Sequence, residues 1–204
     1  MYPAVPTVDQ RVASNHQEDE PVREIALHIL DIVQNSIRAG ASRVEITVEE
    51  DTPADRLRIL VCDNGKGMAP EMASRAVDPF VTTQPCRRVG LGLPLFAAAA
   101  ERCGGWLKVE SKLGQGTKVE AIFQYSHIDR MPLGDMRSTM LGLIASNEGL
   151  DIVYRHKVAG EVFTLDTREL RAELGEVPLS DPLVLRWLDE YLATDPREKL
   201  VTAF

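Results

Sequence analysis

The 204-residue chain has no apolar run near the length of about 20 residues that a membrane-spanning helix needs. Its N-terminus also has no apolar core of the kind found in signal peptides. Basic residues do not prevail, because 23 Lys and Arg are set against 31 Asp and Glu, for a formal net charge of −8. These absences predict a cytoplasmic protein with no membrane partner, and they argue against a nucleic-acid-binding surface.

Cysteine is scarce as well. The chain has three cysteines, Cys62, Cys86 and Cys103, which is an odd number, and their spacing is not that of metal ligands. Two of them lie in apolar stretches. We therefore expect reduced thiols, as in a cytoplasmic protein, rather than a framework of disulfides.

The length of the chain suits one large domain, or a domain of about 120–150 residues with an appendage. Residues 1–20 combine prolines with a polar run, which predicts a flexible N-terminal arm. The informative motifs all lie within residues 21–126, the predicted main domain. Residues 127–204 are expected to form a small α+β extension at the C-terminus.

Apolar periodicity predicts alternating helices and strands in the main domain. A broad apolar helical face follows Pro21, which suits a first helical turn, and Gly40 suits the end of that helix. Residues 43–49 alternate with period two, which predicts a half-buried strand. The other predicted elements are a strand over 57–62, a short helix over 70–77, a helix over 95–103, and strands over 106–110 and 118–124.

Two polar residues stand out on the first predicted helix. Asp31 and Asn35 are four residues apart, so their side chains point the same way, with about 5–6 Å between the Cβ atoms. An Asn beside an apolar face needs a hydrogen-bond partner, and either a capping or water contact would supply one. The alternative is that Asn35 is an oxygen ligand of a magnesium ion, with a carboxylate one turn away.

The stretch Asp63-Asn64-Gly65-Lys66-Gly67-Met68 follows the strand over 57–62 directly. Two glycines one residue apart allow a tight turn in which the backbone approaches a neighbour closely. A carboxylate on such a turn can accept a hydrogen bond from an amino group, and in a desolvated pocket that bond discriminates strongly. A β-turn in which Asp and Asn bond their own backbone is the simpler alternative.

A second glycine pair, Gly90 and Gly92, stands directly ahead of the helix predicted over 95–103. Glycines at that position leave backbone N–H groups free at the positive end of the helix, where a phosphate can bind. An ordinary loop-to-helix junction would also explain this pattern.

Taken together, these stretches resemble the GHKL superfamily of ATP-binding domains, which includes gyrase, the heat-shock chaperone, histidine kinases and MutL. DIVQNSIRAGAS (31–42) resembles the asparagine box, and DNGKGM (63–68) resembles the first glycine box. DPFVTT (78–83) and VGLGL (89–93) resemble the phenylalanine box and second glycine box of histidine kinases, and GGWLKVESKLGQGTKVEAIF (104–123) resembles the end of a kinase catalytic domain. The resemblance covers residues 22–125, and four motifs in the right order are a specific signal.

The resemblance implies a two-layer α/β sandwich of the Bergerat type, in which helices cover one face of a mixed sheet and Mg-ATP is the cofactor. It implies that Asn35 ligates the magnesium ion, that Asp63 accepts from the adenine amino group and that residues 81–92 form a lid over the phosphates. It also implies that Thr117 supports the adenine end. The implied ATP-binding residues are Asn35, Asp63, Gly65, Gly67, Met68, Phe80, Thr82, Thr83, Arg87, Arg88, Gly90, Leu91, Gly92, Leu93 and Thr117.

The chain also departs from the family pattern. Asp31 stands where MutL-like ATPases carry a water-activating Glu, and its side chain is one methylene shorter than the role requires. Arg88 replaces a glycine that kinases usually have in the lid. Residues 1–20 are too short and polar for the phosphoacceptor hairpin of a histidine kinase. The outline H-x-x-R-x-P-L at 127–133 fits a phosphoacceptor box, but it follows the ATP domain and contains the helix-breaking Pro132.

The C-terminal part has recognisable elements but no recognisable chemistry. A helix is predicted over 135–146, a hairpin over 151–158 and 161–166, and helices over 167–174 and 183–192, with Thr167 capping the former.

Two functions follow from the resemblance. In the first, the protein is a histidine-kinase-like enzyme with catalytic Asp31, which phosphorylates a partner in trans or slowly hydrolyses ATP. In the second, it is an anti-sigma-like binding module that ATP switches. Both imply a protein partner, and a homodimer is compatible with either.

Overall fold

The computed structural model describes residues 24–78 and 92–197. Two strands in which buried and more exposed residues alternate form the centre of its mixed sheet. The strands β1 (Arg43–Asp51) and β2 (Arg56–Asp63) pair antiparallel. Every second side chain of β1 is buried, from Val44 to Glu50, as period-two alternation requires. The pair therefore has one face on the core and one face towards solvent.

The other elements are arranged around this pair. The remaining strands are β3 (Trp106–Lys112), β4 (Gly116–Gln124), β5 (Asp151–Val158) and β6 (Glu161–Asp166). The helices are α1 (Ile25–Arg38), α2 (Pro70–Ala73), α3 (Gly92–Arg102), α4 (Met136–Ser146), α5 (Thr167–Leu174) and α6 (Pro182–Leu192). Within the described residues the sheet has six strands in the order β3-β4-β2-β1-β5-β6, and the β1–β5 pair is parallel.

The core lies between the sheet and its helices. Apolar side chains of α1, α3, α4 and α6 form one continuous cluster with the inner face of the sheet. The outer face carries ion pairs instead, among them Arg58 with Glu49 and Glu120. This arrangement confirms the predicted fold class, a mixed sheet with helices on one face, because each strand separates an apolar side from a charged side.

The sheet continues across the predicted boundary between residues 126 and 127. β5 pairs with β1 along eight residues, and β6 pairs with β5 at the edge. Met140 of α4 and Leu188 of α6 are fully buried in the same core as α1. The boundary therefore marks where the recognised sequence motifs end, whereas the residues on both sides of it share one sheet and one hydrophobic core.

Several element ends differ from the sequence-based prediction. α1 begins at Ile25 and not near Pro21, because the N–H groups of Ile25 and Ala26 bond to the carbonyls of Pro132 and Leu133. Within the described residues α3 covers Gly92–Arg102, so it includes the three residues ahead of its predicted start, and α2 ends at Ala73 instead of near Val77. The strands over 106–112 and 116–124 are each two residues longer than predicted.

The predicted cap of α5 is also wrong. Its N-cap is Asp166, whose carboxylate accepts from the N–H of Arg168. Thr167 is the first helical residue, and its buried hydroxyl accepts from the N–H of Ile152 in β5. The hairpin of β5 and β6 matches the prediction, and α6 begins at Pro182, one residue before its predicted start, with Asp181 as its N-cap. No helix of the described ranges combines the length and apolar character required to cross a membrane.

Candidate nucleotide-binding site

Asp63 ends β2 and lies beside Thr117, its register partner at the start of β4. Its Oδ1 atom accepts hydrogen bonds from the N–H of Gly65 at 2.8 Å and from the N–H of Thr117 at 3.3 Å. Its Oδ2 atom accepts from the Ser36 hydroxyl at 2.7 Å. A turn, a strand and a helix thus hold one carboxylate in a single orientation.

These three donors leave acceptor capacity on Asp63. An ionised carboxylate has about four acceptor positions, two on each oxygen. Gly65 and Thr117 take the two positions of Oδ1, and Ser36 takes one of Oδ2. The remaining position on Oδ2 is able to accept a hydrogen bond from an amino group brought to the turn.

Ser36 was not singled out by the sequence. Its side chain is buried, with 3% of the residue exposed, and its hydroxyl also lies 3.2 Å from the carbonyl of Ile32 in the preceding turn of α1. Asp63 is 27 positions away in the chain, so periodicity could not connect them. The available signal was that Ser36 directly follows Asn35 in the asparagine-box motif.

Asn64 fastens the turn to the start of β1. Its Oδ1 atom accepts from the N–H groups of Ser42 at 2.9 Å and Arg43 at 2.8 Å, and its Nδ2 atom donates to the Ser42 hydroxyl at 2.9 Å. The β-turn alternative is therefore wrong for Asn64, which bonds Ser42 and Arg43, whereas Asp63 does accept from the N–H of Gly65 in its own turn. The consequence is a turn whose position is fixed relative to the sheet.

The two glycines of the turn are required by the packing of the protein itself. Gly67 has φ +64°, and a Cβ atom there would lie 2.1 Å from the carbonyl oxygen of Lys112. At Gly65 a Cβ atom would lie 3.0 Å from Oδ1 of Asp63 and 3.1 Å from Cβ of Ala39. A side chain at either position would displace the backbone that carries Asp63. Closeness to a bound base stays a prediction for both residues.

A hydroxyl pair connects the turn to the β3–β4 hairpin. The Ser111 hydroxyl accepts from the N–H of Met68 at 2.8 Å and lies 2.9 Å from the Thr117 hydroxyl. It also lies 3.0 Å from the carbonyl oxygen of Gly116. Thr117 therefore contacts Asp63 through its backbone N–H, and its hydroxyl contacts Ser111, which in turn bonds the N–H of Met68. Ser111 is a second residue that the sequence did not indicate.

The other described residues of the predicted site lie on α1 and on the first turn of α3. Asp31 and Asn35 are both exposed on α1, and Oδ1 of Asn35 accepts from Arg38 at 3.0 Å. Gly92 faces Asp31 so closely that a Cβ atom on Gly92 would lie 3.5 Å from Oδ2 of Asp31. Leu93 packs against the core. The predicted carboxylate and the predicted phosphate-binding helix start are thus neighbours.

The donor set suits a magnesium ion held together with phosphates. Magnesium prefers oxygen ligands and usually binds one or two protein oxygens, substrate phosphates and several waters. Asn35 has its amide oxygen on the exposed side of α1, one turn from the Asp31 carboxylate, and would exchange the hydrogen bond from Arg38 for the ion. Within residues 24–78 and 92–197 there is no cluster of three or more His, Cys, Asp or Glu able to hold a metal by itself. Such a set fits an ion that arrives with a nucleotide.

Much of the predicted lid lies outside the residues that the structure describes. This applies to the predicted ATP-binding residues Phe80, Thr82, Thr83, Arg87, Arg88, Gly90 and Leu91. The predicted N-terminal arm and Cys86 are outside as well. The described part of the predicted set comprises Asp31, Asn35, Asp63, Gly65, Gly67, Met68, Gly92, Leu93 and Thr117.

His127, the candidate phosphoacceptor, lies at the other end of the sheet from Asp63. β4 runs from Thr117, opposite Asp63, to Gln124, opposite Arg56. Seven residues of extended strand span about 24 Å. Residues 127–134 are irregular, and Nδ1 of His127 accepts from the N–H of Asp129. The helical surroundings of a phosphoacceptor box are therefore absent from this segment.

Comparisons with known proteins agree with the motif assignment. The family described as histidine kinase-, DNA gyrase B- and HSP90-like ATPase matches residues 22–127, more than half of the chain. The sensor histidine kinase ZraS of Salmonella typhi is 37% identical over 89 residues, which is 43% of this chain and 19% of that protein. The histidine protein kinase DivJ of Caulobacter vibrioides is 33% identical over 105 residues, 50% of this chain and 18% of that protein.

The DNA mismatch repair protein MutL of Rhodospirillum rubrum is 38% identical over 79 residues, 39% of this chain and 11% of that protein. The chain thus spans less than a fifth of the length of each of these relatives. By the match over residues 22–127, the chain belongs to the histidine kinase-, DNA gyrase B- and HSP90-like ATPase family.

Proposed function

We propose that this protein binds Mg-ATP between α1, the Asp63 turn and α3, and acts in signal transduction on a partner protein. The observation that carries the proposal is the Asp63 carboxylate, which three donors orient while one acceptor position stays available. Family membership and the sensor histidine kinases among the relatives support the signalling role.

Each residue of the site has a role in this proposal. Asp63 accepts a hydrogen bond from the adenine amino group, and Gly65, Gly67, Met68 and Thr117 form the adenine end. Asn35 supplies an oxygen to the magnesium ion, which neutralises phosphate charge when bound. The segment 81–92, through Gly90, Gly92 and Arg87 or Arg88, covers the phosphates. The backbone N–H groups at the start of α3 are suited to this task because they lie at its positive end.

The phosphoryl group, if transferred, leaves for a second protein. His127 follows the strand end that lies about 24 Å along the sheet from the Asp63 end, and its segment is irregular, so we propose that it is not the acceptor. Purified protein incubated with γ-labelled ATP should therefore carry no acid-labile label. A label that disappears in His127→Gln would contradict transfer in trans and indicate an autokinase.

Hydrolysis by this site is expected to be slow. Asp31 is exposed one turn before Asn35, and its carboxylate is one methylene shorter than the Glu that a water-activating base would use. Turnover should lie well below about 10 s⁻¹. If Asp31 acts as the base, Asp31→Glu should raise turnover and Asp31→Ala should abolish it, as a phosphate-release assay would measure. A Glu variant no faster than the unmodified protein, with unchanged nucleotide affinity, would instead favour a kinase-type site.

The alternative function is an ATP-dependent binding module without catalysis. The feature that favours it is the second part of the chain, residues 127–204, which adds β5 and β6 to the sheet. We propose that residues 127–204 serve interaction with a partner or with a second copy in either case. Label on a partner protein would support the kinase function, whereas nucleotide-dependent binding with no label and no phosphate release would support the module.

A further inference from the structure

A small cleft opens at the β6 edge of the sheet, between α5 and α6. Its volume is about 130 Å³, well below the roughly 300–1,000 Å³ of sites that bind small molecules. Trp187 and Tyr191 line one side of the cleft, and Leu170 lies beside the carboxylates of Glu169 and Glu173 on the other. A space of this size fits a single side chain.

The aromatic side of the cleft is rigid and open to solvent. The rings of Trp187 and Tyr191 stack at 5.2 Å between centroids with 7° between their planes, and Tyr191 also contacts Phe163 at 5.1 Å. The Tyr191 hydroxyl donates to the carbonyl of Thr164 at 2.8 Å, which fixes the pair. Trp187 is nevertheless 48% exposed. A large ring held in place and left half open is typical of a contact surface.

The rim of the cleft is acidic. Glu169 and Glu173 stand one turn apart on α5 and are exposed, and within the described ranges neither side chain has a hydrogen-bond or ion-pair partner. The third carboxylate, Asp166, is paired with Arg168. Arg171 of the same helix is turned away to Asp151. The negative charge at the rim therefore remains uncompensated beside an exposed aromatic face.

We propose that this cleft docks an arginine or lysine side chain on an exposed segment of a partner protein. A cation over the Trp187 face is attracted by the ring electrons, and Glu169 and Glu173 are placed to pair with the same cation. Each contact is modest by itself, so the cleft supplies specificity within a larger interface.

Other occupants fit less well. A second copy of the chain, placed symmetrically on this surface, would bring the Glu169 and Glu173 pairs of both copies together, and like charges disfavour that contact. Addition of a strand to β6 is hindered because Tyr191 already bonds the carbonyl of Thr164 on that edge strand. A basic side chain is the occupant that matches both size and charge.

The cleft shares no residue with the nucleotide site, so the proposal does not depend on the proposed function. It nevertheless lies at the same end of the sheet. Asp166 is in register with Val153, then with Glu45, then with Cys62, which precedes Asp63. Three strand spacings amount to about 14 Å. A partner docked here would therefore lie close to the nucleotide turn.

The test uses the nucleotide-free protein and a five-residue peptide with a central arginine between glycines. The chain has two tryptophans, so the indole N–H signal of Trp187 is assigned by comparison with Trp106→Phe. Titration with the arginine peptide into the millimolar range should shift the Trp187 signal in proportion to the weak binding, and the same peptide with uncharged citrulline should leave it unchanged. Glu169→Gln combined with Glu173→Gln should weaken binding about fivefold or more, whereas Glu176→Gln, outside the cleft, should not.

Three results would overturn the proposal. The first is an equal response to the arginine and citrulline peptides, and the second is unchanged affinity in the double Gln variant. The third is reversible dimerisation of the unmodified protein, measured by sedimentation, that Trp187→Ser abolishes, because a second copy would then cover the cleft. Trp187→Ser changes an exposed residue, so loss of folding is not expected to obscure this comparison.

Discussion

The carboxylate of Asp63 shows how one residue becomes a specific acceptor. Its donors come from α1, from its own turn and from β4, so the side chain cannot rotate without breaking at least one of these hydrogen bonds. A carboxylate that is already oriented loses little freedom when a ligand binds. The Ser36 hydroxyl therefore orients the Asp63 carboxylate, which we propose contacts adenine.

Ser36→Ala should weaken ATP binding about three- to tenfold, a part of the value of a hydrogen bond to a charged group. The reason is that Oδ2 of Asp63 loses its 2.7 Å donor while the other two hydrogen bonds remain. Isothermal titration calorimetry measures the effect, and Ser74→Ala, an exposed serine after α2, is the matched control. Equal affinities of the two variants would show that Ser36 has no positioning role.

At the scale of single residues, the sequence predicted those that belong to contiguous motifs. Asp63 and its glycines were recognisable because strand, carboxylate and glycines follow each other directly. Ser36 and Ser111 were not, because their role depends on contacts across 27 and 43 positions of the chain. A hydroxyl has many local uses, so only the folded arrangement reveals which one applies.

At the scale of elements, the turn after β2 and the β3–β4 hairpin form one unit. The N–H of Gly114 donates to the carbonyl of Lys66, and the N–H of Met68 donates to Ser111. Gly67 passes directly beside the carbonyl of Lys112. The two loops therefore position each other, and a change in one should be measurable as lost stability of the whole domain.

Gly67→Ala should lower the free energy of unfolding by about 2–5 kcal/mol, because it combines a positive φ with a Cβ atom 2.1 Å from the carbonyl oxygen of Lys112. Gly114→Ala is the matched control, since Gly114 has φ +73° but has no atom within 4 Å of an added Cβ. That variant should lose only about 1–2 kcal/mol. Urea denaturation distinguishes the two, and equal losses would contradict the proposed contact.

The elements themselves followed largely from local patterns. The β5–β6 hairpin matches its prediction at every boundary, because Ala159 and Gly160, both with positive φ, form the turn between two strand-like segments. The predicted ends were wrong where distant residues determine them. At α1, the carbonyls of Pro132 and Leu133 accept hydrogen bonds from the first N–H groups of the helix. The parallel pairing of β1 with β5 has no local signature, so no sequence pattern indicated that residues 151–166 belong to the same sheet.

At the scale of the whole molecule, a buried charged cluster closes the sheet at the end opposite to Asp63. His156 of β5 is 1% exposed, and its ring lies 2.8 Å from Asp195 and 3.0 Å from Glu50. Tyr154 bonds Asp195 at 3.4 Å, and Arg197 bonds Glu50. Both ring nitrogens face carboxylates, an arrangement that favours the protonated form of the ring. The cluster fastens the segment after α6 to β1 and β5.

This cluster predicts a pH dependence of stability. Burial lowers the pKa of His156, but the hydrogen bonds to Asp195 and Glu50 outweigh burial and raise that pKa above its usual value of 6.5. A raised folded-state pKa means that the stabilisation is complete below pH 6.5 and is lost as the pH rises through the folded-state value. Burial raises the pKa of Glu50, but His156 and Arg197 lower it to about 2, so its contribution is lost only in acid.

Titration of the histidine rings by NMR measures this prediction directly. His156 should titrate above pH 6.5, and the free energy of unfolding of the unmodified protein should fall more steeply above that pH than that of His156→Gln. Both measurements use nucleotide-free protein, because the cluster lies away from the Asp63 end of the sheet. A His156 ring that titrates below pH 6.5 would contradict the double hydrogen bond to carboxylates.

The central claim is that Asp63 selects adenine, and calorimetry with Asp63→Asn tests it most directly. The variant keeps the shape of the side chain but can place a donor where the adenine amino group needs an acceptor, and it leaves the Ser36 or backbone donors without their charged partner. ATP binding should weaken by about 2–3 kcal/mol, or roughly 30–150-fold, and the unmodified protein should bind ATP much more tightly than GTP. Equal ATP affinity of Asp63→Asn and the unmodified protein, with the variant folded, would contradict the account.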